Sequence, residues 1–369
     1  MAGLKIPTTG LQNLPEELPV YTHSNSLSDS WIDKTMSVLR ANCLEACERE
    51  LARLPFLCIF DDECTDKDAE IFYSMSYYPA EDHKNRQYTL HTVDQLRVRV
   101  LSSFAAELAL LSPEEHDLMV RLVLLGGKLT LQDWDEIIPA RGLVRRLWCR
   151  TREENGTRVL NMPHQLCASA LLLISGEGHK KIRESVESVF ESIDNSLYLM
   201  GMMQASGPAL HLQSLLKDTY AEGRPDLIAR MLCSGCDVLY DDDSRLILVH
   251  PGLADPEGML LQLPAAATVC QEMSPDALHS ASDSLNEIES PLYEQMLYAV
   301  QDAVRPEIVP EDVVEDLIIL AKQDVPYQKL EEGLSSVLVS IPTPNMIKAL
   351  HDLSSRVPRW IWFSSSRVQ

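Results

Sequence analysis

Apolar residues recur at steps of three and four along much of this chain, a rhythm that predicts a protein built mainly of helices. In SWIDKTMSVLRANCLEACERELARL, Ile32, Met36, Leu39, Cys43 (or Leu44), Cys47 and Leu51 fall on one helical stripe. TVDQLRVRVLSSFAAELALL predicts a helix capped by Thr92. SPEEHDLMVRLVLLGG predicts the next, with Ser112 as cap, Pro113 first in the helix, Glu115 at the capping-box position and Gly126-Gly127 as the stop. LTLQDWDEII predicts a short helix opened by Thr130 or Leu131, and ARGLVRRLWCRT a further helix end. The period then changes: WCRTREENGTRVLNMP holds two β-like runs around an Asn155-Gly156 turn.

The same order returns. SVFESIDNSLYLMGMMQASGPALHLQSLLKDTYAEG predicts two helices, DLIARMLCSG a third, and CDVLYDDDSRLILVHP a strand, a turn over Asp241 to Ser244, and a strand. Helix, helix, helix, hairpin is the order of a winged-helix unit, and the two hairpins end alike, at VLNMP and LILVHP. The expected fold is therefore mainly α and multi-domain, with two winged-helix-like units carrying short β-hairpin wings. Residues 1–29, rich in Pro, Ser, Thr and Asn, are expected as an extended arm, and 30–90 as a helical region. The two units are expected over 91–175 and 176–265, with Gly176 and Gly178 as their linker. A C-terminal acidic helical domain, 266–369, is expected from SPDALHSASDSLNEIESPLYEQMLYAVQDAV, PEDVVEDLIILAKQD, YQKLEEGLSSVLVS and TPNMIKALHDLSSR.

Composition sharpens this picture. At 369 residues and 45% hydrophobic content the chain can bury more than one core. Its net charge of −23 argues against a general nucleic-acid-coating surface, which needs clustered Lys and Arg. From Pro251 to Gln369, 18 Asp and Glu face 7 Lys and Arg, so the acid excess is strongest late. The N-terminal stretch lacks the features of a signal peptide, and the longest apolar run, ALLLI, is too short for a bilayer; a cytoplasmic protein without membrane contact is expected. Nine cysteines, an odd number, then read as reduced thiols.

Chemistry is sparse in the pattern. No phosphate loop, dinucleotide fingerprint, zinc-protease helix or nucleophile elbow is present, and no cofactor is expected. LLLISGEGHKKI imitates a phosphate loop without its spacing, and FDDECTDKDAE, read as following a short strand or helix, lacks the ligand order of a calcium loop. Cys233 and Cys236 form the lone Cys-x-x-Cys, a candidate metal or redox pair set against a structural reading in which Gly235 supplies a left-handed helix exit. His164 and His250 flank the hairpin ends, where capping or core roles are expected. The strongest signal is electrostatic. Ala140 to Arg158 carries Arg141, Arg145, Arg146, Arg150, Arg152 and Arg158 against Glu153 and Glu154, a local +4. Such arginines suit phosphates and guanine edges, or the chain's own carboxylates. Trp360, Trp362 and Phe363 are expected to pack back onto a helix, and left free they would form a partner-binding patch.

The order LSPEEHDLMVRLV, VLNMPHQL, NSLYLMGMM, HLQSLLKDTY, EDVVEDLIILAK and SSRVPRW resembles a group of largely helical Firmicutes proteins of the SEC-C motif domain type. The resemblance spans roughly residues 90 to 363 and implies a helical fold with paired helices and a wing. It carries over no zinc, because the Cys-rich tail that names the group is missing: no cysteine follows Cys270. The expected function is a non-enzymatic protein-interaction or scaffold module. The alternatives are a DNA-binding regulator using residues 140–158 and, last, a metal-dependent enzyme assembling Cys233 and Cys236 with distant ligands.

Overall fold

The computed structural model describes residues 59–60, 64–76, 92–131, 134–240, 245–253, 256, 275–306 and 308–360. Twelve helices and six short strands run through these residues, so the protein is mainly helical, as the periodicity predicts. The expected arm, the stripe with Cys43 and Cys47, the turn over Asp241 to Ser244, and Trp362 and Phe363 lie outside them.

The chain packs as two units, each drawn from separate stretches: unit 1 from the described residues of 59–191 and 204–248, unit 2 from those of 192–203 and 249–360. Both hairpin regions fall largely in unit 1.

Unit 1 begins with α1, Asp66–Met75, whose capping box pairs Thr65 with Asp68. Next come α2, Val93–Ala109, and α3, Pro113–Leu124, each started by the cap its sequence predicts. Gly126 and Gly127, both at positive φ, end α3. They deliver the chain into β1, Lys128–Leu131, where a short helix was expected. The alternation Lys128 out, Leu129 in, Thr130 out, Leu131 in is a strand period, and it outweighs the helix-start signal at Thr130. The rest of that expected helix and the helix end expected over ARGLVRRLWCRT are one element, α4, Trp134–Arg145, which runs through Pro139. The hairpin β2, Arg150–Glu154, and β3, Thr157–Asn161, turns on Asn155 and Gly156, both at the positive φ such a two-residue turn demands. β1 pairs with β3, so the antiparallel sheet is ordered β1-β3-β2.

Then α5, His164–Ile174, leads into α6, Glu177–Met200. Gly178 is therefore helical, and the expected linker shrinks to a two-residue turn. A short strand, β4, Met202–Gln204, again departs from the helices expected there. It precedes α7, Ser206–Leu215, and α8, Pro225–Gly235, and then β5, Asp237–Tyr240, and β6, Leu246–Val249. This sheet is ordered β4-β6-β5, the same first-third-second arrangement as before. Gly235 closes α8 without a left-handed exit. It is glycine because a Cβ there would lie 2.6 Å from the Ser112 side chain and 2.8 Å from the Phe190 ring.

The first core of unit 1 gathers Leu96, Val100 and Phe104 of α2, Leu118 and Leu122 of α3, Leu143 of α4 and Leu166 of α5 around Trp148, which meets Phe104 edge-on at 4.7 Å. Unit 2 contains α9, Pro275–Val300, α10, Pro310–Lys322, α11, Tyr327–Val337, and α12, Pro344–Arg356. All four match the expected segments, and Leu292, Met296, Leu317, Leu334 and Leu350 form their common core. Among the described residues no helix is long and apolar enough to cross a membrane.

Candidate functional site

The arginine-rich stretch divides at the end of α4. Arg141, Arg145 and Arg146 are 7%, 2% and 2% exposed, so the helix turns its cations inward instead of toward a phosphate backbone. The sequence left two readings of this stretch, contact with phosphates or pairing with the chain's own carboxylates, and these three side chains lie inside the fold. Arg150 and Arg158 on the hairpin are half-buried, and Arg152 is exposed. Side chains alternate along a strand, so Arg150, Arg152 and Glu154 share one face, which the pairing joins to Lys128 through Asn161. Glu154 binds Lys128 Nζ at 2.7 Å and also pairs with Arg152. The Lys128 hydrogen bond holds its carboxyl below the usual range. Arg158 sits on the opposite face, in register with Glu153.

Arg146 belongs to a buried charge network in unit 1. Arg146 Nη1 donates to Glu115 Oε1 at 2.7 Å, its Nη2 to Ser234 Oγ at 3.2 Å, and its Nε lies 3.7 Å from Glu107 Oε2. Arg230 Nη1 donates to Glu107 Oε1 at 2.7 Å, where Ser103 also donates. Glu115 closes the circuit: its Oε2 accepts from Ser234 Oγ and from the Ser112 amide. Two carboxylates thus meet two guanidiniums, and α2, α3, α4 and α8 are tied together. Burial pushes the Glu107 carboxyl up, while Arg146 and Ser103 pull it back. Gly142 makes the close approach of Glu115 tolerable, since a Cβ there would stand 1.8 Å from the Glu115 oxygen.

Unit 2 holds a smaller cluster. Lys322 pairs with Glu289, both buried, and its Nζ lies 4.2 Å from the centre of the Tyr198 ring. Tyr198 Oη donates to Glu289 at 2.5 Å. Trp360 is fully buried; its indole N–H donates to the Tyr198 carbonyl at 3.0 Å and its amide to the Lys322 carbonyl. It therefore packs back as expected and offers no surface to a partner. His250 lies between Tyr198 and Trp360, and burial, with Lys322 nearby, holds it at about 4. His164 is exposed at the start of α5.

Cys233 is buried at the end of α8, and desolvation pushes its thiol up to about 12, far from a reactive thiolate; Cys236 is half-buried. Among the described residues no group of three or more His, Cys, Asp or Glu is placed to hold a metal. Compared with family models, curated proteins and solved structures, the chain matches none.

Glu107, Arg230, Glu289 and Lys322 were not singled out by sequence. For three of them the signal is a lone charge inside an apolar helical run: Glu107 in FAAELALL, Arg230 in DLIARMLCSG, Lys322 in LIILAKQ. Such a charge is seldom buried unless paired.

Proposed function

We propose that this chain is a non-catalytic, cytoplasmic binding protein that recognises another protein, and that its two helix–strand–helix–hairpin regions are winged-helix-like modules. The matching strand order of the two sheets supports the module reading. The resemblance to SEC-C-type proteins adds a fold expectation and no activity. The observation that carries the functional reading is the burial of Arg141, Arg145 and Arg146. A winged helix that reads DNA turns the helix before its hairpin toward the groove and its cations toward phosphates. Here that helix turns its cations to the protein interior, and Lys128 of β1 and Arg152 of β2 are engaged by Glu154. The net charge of −23 favours a partner with a cationic face.

The test is binding of a labelled 20-base-pair duplex at low salt, read by fluorescence anisotropy. No salt-sensitive binding is expected. Binding that weakens steeply with salt and is lost in Arg152→Glu plus Arg158→Glu would overturn the proposal in favour of a DNA-binding regulator.

A further inference from the structure

We propose that His116 and His179 form an acid-sensitive latch inside unit 1, a contact that joins α3 to α6 through one shared proton and opens when a second proton arrives. Their Nε2 atoms stand 3.0 Å apart, with the rings inclined at 28° and their centroids 5.2 Å apart. Two such nitrogens hold one N–H and one lone pair between them. His179 is 3% exposed and its Nδ1 is buried with no hydrogen-bond partner. That orphan fixes the proton's place: with His179 as the Nε2–H donor its Nδ1 is a bare lone pair, whereas the other tautomer would bury an unpaired N–H, the costlier arrangement.

A second proton would set two N–H groups head to head beside a cation. Arg183, one turn further along α6, is 4% exposed and donates through Nη1 to the carbonyls of Ala109 and Leu111 at the end of α2. Among the described residues Glu187, Asp117, Glu115 and Glu114 act on Arg183, and its burial outweighs them. Glu115 of α3 is bound by Arg146, and Glu187 of α6 sits 3.8 Å from Arg183 Nη2. Glu114 and Asp117 of α3 are exposed, and Glu177 of α6 is paired with Lys180. Burial first, then the Arg183 charge, holds His116 at about 3 and His179 at about 4, against an ordinary 6.5. A metal ion fits the pair poorly, because no third ligand joins it among the described residues and Arg183 stands beside it.

The sign follows from linkage. The closed pair excludes protons that the opened pair binds with ordinary affinity, so the latch is fully effective above 6.5 and weakens as pH falls toward about 4. Between pH 7 and pH 5 the opening equilibrium is expected to rise roughly tenfold or more.

The experiment is hydrogen exchange of the full chain from pH 7 to pH 4.5, corrected for intrinsic rates. Amides near His116 and His179 are expected to lose protection tenfold or more over that range, ahead of the β2–β3 hairpin. His116→Gln, whose amide oxygen still accepts from His179, is expected to stay closed at pH 7 and to lose the part of the acid response that His116 supplies, while His179, held down by burial and Arg183, keeps its own. Unchanged wild-type protection at pH 5, or the same acid response in His116→Gln, would overturn the proposal. Should His116→Gln not fold, imidazole nitrogen NMR on the wild type decides: both rings neutral at pH 6 is the expected result, and an imidazolium at pH 6 in the closed state overturns it.

Discussion

Both units bury charge, and they do so by different means. Unit 1 sets Arg146 between Glu107 and Glu115 and adds Arg230 to Glu107, with Ser103 and Ser234 taking part. Unit 2 sets a single Lys322 against Glu289, with the Tyr198 hydroxyl on the carboxylate and its ring under the ammonium. The guanidinium fork lets one cation serve two carboxylates and a hydroxyl at once, while an ammonium is a point charge that needs its shell completed by other groups. That difference bears on why the local +4 of residues 140–158 is a poor guide to surface: Arg141, Arg145 and Arg146 are buried within the same unit and Arg152 answers Glu154.

The most severe way to break the comparison is to remove the cation on each side. Arg146→Ala leaves Glu115 and Glu107 short of their partner, and the expected loss is about 3–5 kcal/mol in unit 1. Lys322→Ala strands one carboxylate that keeps the Tyr198 hydroxyl, so its loss is expected at the lower end of that range. Urea denaturation combined with unit-resolved hydrogen exchange measures both. Equal losses, or a loss under about 1 kcal/mol for Arg146→Ala, would show that the shared fork is not what holds α2, α3, α4 and α8 together.

A middle-sized effect tests the aromatic half of the unit 2 cluster. Gly201 has φ +78, and a Cβ there would meet the Trp360 ring at 2.7 Å. Gly201→Ala is therefore expected to cost about 2 kcal/mol, from backbone strain together with the displaced indole. In a Trp360→Ala background the steric part vanishes, so the two changes should be less than additive in a thermal-denaturation cycle. Full additivity would place the strain in the backbone alone.

Local grammar made most helices legible. The caps at Thr92, Ser112 and Thr343, the Pro-led starts of α9 and α10, and the Asn155-Gly156 turn are short-range signals, and each element falls where its signal lies. What sequence hid was non-local. β1 and β4 are three or four residues long, and each becomes a strand only by pairing with a hairpin that arrives some thirty to forty residues later. The buried charge network was hidden for a related reason. Arginines in sequence show their charge but not their carboxylates, and Glu107 and Arg230 are 123 residues apart. The His116 and His179 contact, across 63 residues, was equally invisible.

The smallest expected effect lies on the β1-β3-β2 sheet, where charge meets water. Lys128 and Glu154 form an ion pair whose side chains are 52% and 28% exposed, so the charge itself should contribute at most about 0.5 kcal/mol. Yet Val159, on the same sheet face and between them in register, is only 2% exposed. The aliphatic stem of Lys128, reaching across toward Glu154, is expected to supply part of that cover beside Thr130 and Arg152, which are in register with Val159. Lys128→Met keeps the stem and is expected to leave stability within about 0.5 kcal/mol of wild type. Lys128→Ala removes stem and charge together and should cost more, up to about 1 kcal/mol, with little dependence on salt. If the two variants are equal and the loss fades at 1 M salt, the pair acts through charge, and the sheet would stabilise its surface by the same kind of pairing that the interior of unit 1 uses at far higher stakes.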